Sequence, residues 1–239
     1  PLNRIKYGAR VARFIAISEE IGRVLERGGV RPERIRVVHS AVAPLGPATR
    51  QRLEVREGLG VSPDTVLAVT TAALVDHKDH PTAIAAVASC SSPIRLVIAG
   101  EGERRGALEA TISELRVSDR VTLLGQRDDV PDLLRAADVY LASSHLEGLG
   151  TALMDAGLAR LPVVATGAGG IPEVVEHGRT GILVPTRDPA AMAAALDELA
   201  VDAPRRSAMG LAGARRVARL FNVDRMVEGT MSVYREVLA

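Results

Sequence analysis

Aromatic residues are nearly absent from this chain of 239 residues: they make up 2%, with no tryptophan. That scarcity disfavours stacking platforms for single-stranded nucleic acid, which need rings to lie against bases. It also means that any core is built from Val, Leu, Ile and Ala. There is one cysteine, Cys90, which excludes an internal disulfide framework and a cysteine-rich zinc site. It closes an Ala-rich helical run, where a small packed residue is the ordinary occupant. The net charge is +1, so no global field draws the chain to nucleic acid or to a membrane. No apolar run approaches the roughly 18 residues of a membrane span. The opening stretch PLNRIKYGAR has no signal-peptide core, and a reducing cytoplasm is the expected compartment.

What is present is a 47% hydrophobic chain in which strand-like and helix-like runs alternate. A strand is expected over 11–17. Ser18 is placed to cap the helix that follows, which ends near Gly28 and Gly29. A second short strand reads at 35–38. Residues 41–49, with two prolines and a glycine, read as a linker. A helix then runs to about Glu57. Further strands are expected at 66–71, 94–99, 121–124, 139–142, 163–165 and 182–184. Helices fall near 80–90, 103–116, 130–136, 150–159 and 172–177, then 188–200, 204–219 and 224–238. The strands are apolar throughout, as parallel strands covered on both faces must be. Repeated strand–helix–strand units predict an α/β fold, a doubly wound, Rossmann-like parallel sheet.

Ligands of such sheets bind at the carboxyl ends of the strands. The loops after 71, 99, 124, 142 and 165 therefore face one edge. Lys78 lies in the first of them, in ALVDHKDHP. It reads either as a diphosphate-binding cation at a helix start or as a solvated lysine. Asp76, His77, Asp79 and His80 beside it suggest a metal site less well than polar residues opening a helix, with Asp79 as cap. Gly100 to Gly106 nearly match the dinucleotide fingerprint, but the last glycine comes one position late and Glu101 and Glu103 would repel a pyrophosphate. A tight turn lining the cleft is the better reading. No Walker lysine motif occurs. Gly125 and Gln126 offer groups to a base edge. Arg127 reads equally as a phosphate contact or as the partner of Asp128 or Asp129.

The densest stretch is 143–185. Ser144, Glu147, Gly148, Leu149, Gly150 and Thr151 lie where a strand turns into a helix. Gly148 and Gly150 let backbone approach a ligand. The unbonded amides of the helix start attract an anion. Asp155 follows Glu147 by eight positions. Two acids along one helix suit an elongated ligand better than a hydrolytic pair, whose carboxyls stand about 5 to 9.5 Å apart. Gly169 and Gly170 open another helix, as an anion-friendly turn or as a close-packed one.

Together these blocks resemble the group 1 retaining glycosyltransferases of the GT-B fold, specifically their nucleotide-sugar-binding half. VARFIAISEEIGRVLERGGVRPERIRVVHSAV looks like the inter-domain junction of that family, VDHKDHPTAIAAVA like its lysine segment, and GGIPEVVEHGRTGILVPTRDP like its later part. The resemblance implies donor-binding roles. Lys78 would meet the diphosphate and Glu147 the transferred sugar, these two being the catalytic candidates. Ser144 and the amides of Gly148, Leu149, Gly150 and Thr151 would hold sugar and phosphate. Gly125, Gln126 and Arg127 would border the base, Gly169 and Gly170 would complete the pocket, and Asp155 stands where the family's second glutamate grips the ribose. Ala72 and Ala73 replace a glycine and an arginine of the family pattern, Arg160 replaces a glycine, and Ala41 replaces the junction glycine.

The resemblance divides the chain into 1–45, a remnant of an acceptor domain with the junction, 46–222, the donor-binding domain, and 223–239, a returning helix. Its implied substrate is a UDP- or GDP-sugar, with no cofactor and no metal. The implied partners are the missing N-terminal acceptor domain, a membrane surface for the full enzyme, and a second copy through the exposed domain face. Nucleic acid is not among them. Used alone, the chain is expected to bind donor and transfer poorly. The alternatives are a non-catalytic nucleotide-sugar-binding module and a nucleotide-sugar epimerase.

Overall fold

The structure, a computed structural model, describes residues 11–239; the opening stretch at 1–10 lies outside the described residues. A small unit comes first: β1 (Phe14–Ala16), α1 (Glu19–Arg27) and β2 (Ile35–Val37), the two strands pairing in parallel. The strand expected over 11–17 is shorter than its apolar run, because β1 has a partner over only three residues. Ser18 caps α1 as expected, its hydroxyl accepting the Ile21 amide at 3.1 Å.

After an irregular segment and α2 (Arg52–Gly58), the main series runs β3 (Val66–Thr71), α3 (His80–Ser89), β4 (Ile94–Ala99), α4 (Arg105–Glu114), β5 (Val121–Gly125), α5 (Val130–Ala136), β6 (Val139–Ala142), α6 (Thr151–Leu158), β7 (Val163–Thr166), α7 (Ile171–Val174) and β8 (Gly181–Val184). It closes with α8 (Pro189–Val201), α9 (Ala203–Leu220) and α10 (Val223–Leu238). The starts of these last helices are written in the local sequence. Asp188, Asp202 and Asn222 each accept an amide three residues on, at 2.9, 2.9 and 3.0 Å, satisfying a donor that the helix itself leaves free.

Strands β3 to β8 form one parallel sheet in the order β5-β4-β3-β6-β7-β8. Apolar side chains pack on both of its faces. One cluster gathers Ile84, Leu96, Ile98, Leu141 and Leu196, the other Leu67, Val69, Leu133, Met154 and Val163. Covered on both sides, β3, β4 and β7 bury nearly every residue, which is why they are apolar rather than alternating. Cys90 packs at the end of α3 as a small core residue, and burial pushes its thiol up to about 12.

The chain winds outward from β3 through β4 to β5, then returns to β6 on the other side and winds the opposite way. The strand order therefore reverses between β3 and β6. A crevice opens there, because the loops leaving the two strands part to opposite faces.

Candidate functional site

Two loops line that crevice, 72–79 after β3 and 143–150 after β6. They are bound to each other. The Ser143 hydroxyl donates to the Lys78 carbonyl at 2.8 Å, and the His145 amide donates to the His77 carbonyl at 3.0 Å. The second loop is also held from behind. The Thr166 hydroxyl donates to the Ser144 carbonyl, and the Gly170 amide to the Glu147 carbonyl at 3.0 Å. From the small N-terminal unit, the buried Ser18 hydroxyl donates to the Gly148 carbonyl at 2.7 Å.

The hollow between the loops has a volume of about 210 Å³, and its walls include Lys78, Ser144, Glu147, Gly150 and Thr151. Lys78 Nζ lies 2.5 Å from Glu147 Oε2, and the Ser144 hydroxyl lies 3.5 Å from the same oxygen. Helix α6 starts at this wall. Gly150, its capping residue, sits at φ +86° and supplies no side-chain acceptor. The first amides of α6 thus keep their hydrogen-bonding capacity for whatever enters.

A second hollow of about 260 Å³ lies beside the first and shares Thr71, Ala72 and Ala73 with it. Gln126 and Arg127 form part of its wall. Of the two readings open for Arg127, the ion pair holds: its guanidinium donates twice to Asp129, at 2.8 and 2.6 Å. That contact holds the Asp129 carboxyl below its usual range. Gly125 lines neither hollow, and its carbonyl accepts the Gly100 amide at 2.8 Å. The glycines of the 100–106 turn have a steric reason. A Cβ on Gly100 would stand 2.0 Å from the Ala72 carbonyl oxygen, and one on Gly102 2.4 Å from that of Leu74. The near-fingerprint is a close-packed turn.

Several expected site residues do not line the two hollows. Leu149 is a core residue, 1% exposed. Gly169 and Gly170 line neither hollow. They let the 167–170 turn press against the site loop, since a Cβ there would stand 1.9 Å from the Glu147 oxygen or 2.3 Å from that of Gly148. With α7 only four residues long and the Gly170 amide already used, the anion-binding alternative for this turn loses to the packing one. Gly148 faces Ile17 and Ile21 of the small unit. Asp155, half-buried on α6, lines neither hollow, and burial raises its carboxyl above the usual range.

Asp79 does not cap α3 with its side chain; it accepts the Thr82 hydroxyl at 2.7 Å. Asp76 pairs with Arg104 at 3.1 Å. Among the described residues no group of three or more His, Cys, Asp or Glu is placed to hold a metal ion.

Tyr140 and His80 also line the wall, the first not singled out from the sequence and the second weighed there only beside a metal site. Tyr140 sits in an apolar strand and looked like core. Its hydroxyl lies 3.0 Å from that of Thr71, and burial pushes it up to about 12. His80 is buried, with Nε2 3.0 Å from the Ala73 carbonyl oxygen, and burial lowers its pKa. Only its place in the polar DHKDH run hinted at a role.

The profile of the family "Glycosyl transferases group 1" matches residues 51–216. The chain belongs to the group 1 glycosyltransferases. The stretch matching the group 1 glycosyltransferase profile contains every residue that lines the two hollows. A D-inositol 3-phosphate glycosyltransferase of Salinispora tropica is 33% identical over 97% of this chain and 52% of its own length. A GDP-mannose-dependent alpha-(1-6)-phosphatidylinositol monomannoside mannosyltransferase of Mycobacterium tuberculosis is 34% identical over 74% of this chain and 49% of its own. The chain spans about half the length of these relatives. Anabaena HepE, solved in complex with UDP-glucose, shares the fold with a TM-score of 0.87 at 24% identity, covering 94% of this chain and 64% of that one. The fold is thus the Rossmann-like half of a GT-B glycosyltransferase.

Proposed function

We propose that this chain is the donor-binding half of a retaining glycosyltransferase that takes a sugar from a UDP- or GDP-sugar. One observation carries the reading. A lysine, a carboxylate and an uncapped helix start share one hollow at the point where strand order reverses. Lys78 and the first amides of α6 meet the diphosphate, and Glu147 with Ser144 meets the hydroxyls of the transferred sugar. The base lies in the adjoining hollow against Gln126. As the acceptor hydroxyl attacks the anomeric carbon from the face that the diphosphate leaves, the charge developing on the diphosphate falls on Lys78 and the helix amides. The acceptor is brought by an N-terminal domain, to which the β1–α1–β2 unit and α10 belong structurally. Relatives twice as long as this chain support that division.

Calorimetric titration with UDP, GDP, UDP-glucose and GDP-mannose tests the site. At least one should bind, and Lys78→Ala should weaken it at least tenfold, as expected for a charge-assisted contact to phosphate. A variant that binds as tightly as the parent would remove Lys78 from the reading. Without the acceptor domain, transfer should be slight; rapid turnover by this chain would overturn that part.

A second reading, a nucleotide-sugar-binding module without transfer, draws on one feature. Ala72 and Ala73 line both hollows where the family pattern has a glycine and an arginine, leaving Lys78 as the only Lys or Arg on the wall of the first.

A further inference from the structure

Lys78 and Glu147 are each other's only charged partners among the described residues. Their side chains are 22% and 17% exposed, so water screens the pair only in part. The carboxylate therefore takes one of the three N–H donors of the ammonium, and a phosphate oxygen that reaches the lysine arrives directly beside a second anion. Both partners are held in place through their backbones, Lys78 by Ser143 and Glu147 by Gly170. Neither backbone moves away without breaking these bonds.

We infer that Glu147 sets the specificity of the site for a diphosphate that carries a sugar, against the bare nucleoside diphosphate. The inference rests on the donor-site reading above. A bare diphosphate that takes Lys78 leaves Glu147 without its cation, part-buried and facing a second anion. The Ser144 hydroxyl alone cannot offset that charge. A nucleotide sugar also takes Lys78, but its sugar hydroxyls donate to the freed carboxylate in charge-assisted bonds. The ion pair thus penalises product and donor equally, and only the donor returns a partner to Glu147. After transfer the sugar is gone, the carboxylate again competes for Lys78, and the diphosphate is expelled.

The test is titration of this chain, Glu147→Gln and Glu147→Ala with UDP, GDP, UDP-glucose and GDP-mannose, each variant first checked for cooperative thermal unfolding. Both variants should bind the bare diphosphate roughly five- to tenfold more tightly than the parent, a coupling of ordinary size. The sugar nucleotide should gain less or lose affinity, so that the preference for it falls. Variants that bind the bare diphosphate no more tightly than a parent that binds it would overturn the inference and leave the donor site standing. A parent that binds none of the four probes would overturn the donor site itself, and this inference with it. Lys78→Ala separates the two contributions: it should weaken both classes of ligand and abolish the gain when combined with Glu147→Gln.

Discussion

Arg160 sits at φ +60° just past the end of α6, in the left-handed region where a Cβ costs about 1–2 kcal/mol. The Arg160 amide donates to the Gly157 carbonyl and the Leu161 amide to that of Ala156, both within 3.0 Å, the two bonds of a Schellman ending. The glycine of the family pattern at this position therefore has a backbone cause, and its replacement bears on stability rather than on ligand contact. Asp155 shows the opposite balance. Its carboxyl is half-buried and has no hydrogen-bond or ion-pair partner among the described residues. Burial raises its pKa, so the folded chain holds that proton more tightly than the unfolded one. Its effect on stability grows more unfavourable as pH rises from the unfolded value, 3.8, through the raised folded value. Asp155→Asn should unfold at a higher temperature than the parent at pH 7, and the gap should close below about pH 4. If the acid serves the ribose, donor affinity should fall about tenfold in the same variant. A melting curve unmoved at pH 7 would remove the burial argument.

At the scale of elements, the site is a loop held between two others. Backbone hydrogen bonds and glycine contacts fasten 143–150 to the 72–79 loop in front and to the 167–170 turn behind. The small unit closes the third side. Glu173 of α7 accepts the Glu19 and Glu20 amides at 2.9 and 3.0 Å, so a carboxylate from a helix of the main series caps α1 where its dipole favours negative charge. Gly169→Ala should therefore act through the loop. Its Cβ would meet the Glu147 carbonyl, at a φ of +51°, and the backbone must move. The expected outcome is a loss of about 1–3 kcal/mol in urea unfolding together with weakened donor binding. Gly106→Ala is the control, exposed on α4 with nothing within 4 Å of the added atom. There a gain of up to about 1 kcal/mol is expected. Equal effects at the two glycines would contradict the packing account.

Across the whole molecule, buried apolar mass is unevenly shared. Two large clusters cover the two faces of the six-stranded sheet, while among the described residues the small unit buries only Ala16, Val30 and Ile35 in a cluster of its own. Local opening free energies follow such differences. In native-state hydrogen exchange, the amides of β1 and β2 should therefore exchange well before those of β3, β4 and β6. Equal protection would mean that the contacts through Ser18, Glu173 and α10 make one cooperative unit. Helix α10 leaves an apolar stripe outside, with Val227, Met231 and Tyr234 about half exposed, and it reaches the small unit through Glu236 pairing with Arg13 and Arg36.

Much of this was legible in residue order. The strands expected at 66–71, 94–99 and 139–142 match β3, β4 and β6 at both ends, because a strand buried on both faces must be apolar throughout and turn residues bound it. The caps at Ser18, Asp188, Asp202 and Asn222 are local chemistry and need no tertiary information. Family membership was also legible, in the order of several motif blocks. What the chain's order could not convey was contact across distance. Lys78 and Glu147 are 69 positions apart, and nothing local says that they touch. Leu149 was placed at the site through its amide, and Gly169 and Gly170 read equally as an anion-friendly turn or a close-packed one. The fold buries the Leu149 side chain in the core and packs both glycines against the site loop, since a glycine's need is set by the backbone packed against it. For Arg127 the ion-pair alternative was legible, since Asp129 is only two positions on. Sequence by itself determined the elements, their parallel arrangement and the family, because those follow from burial patterns and short-range hydrogen bonds. Tertiary structure alone decided that Lys78 meets Glu147 and which glycines serve packing, because both depend on loops far apart in the chain being brought together at one edge of the sheet.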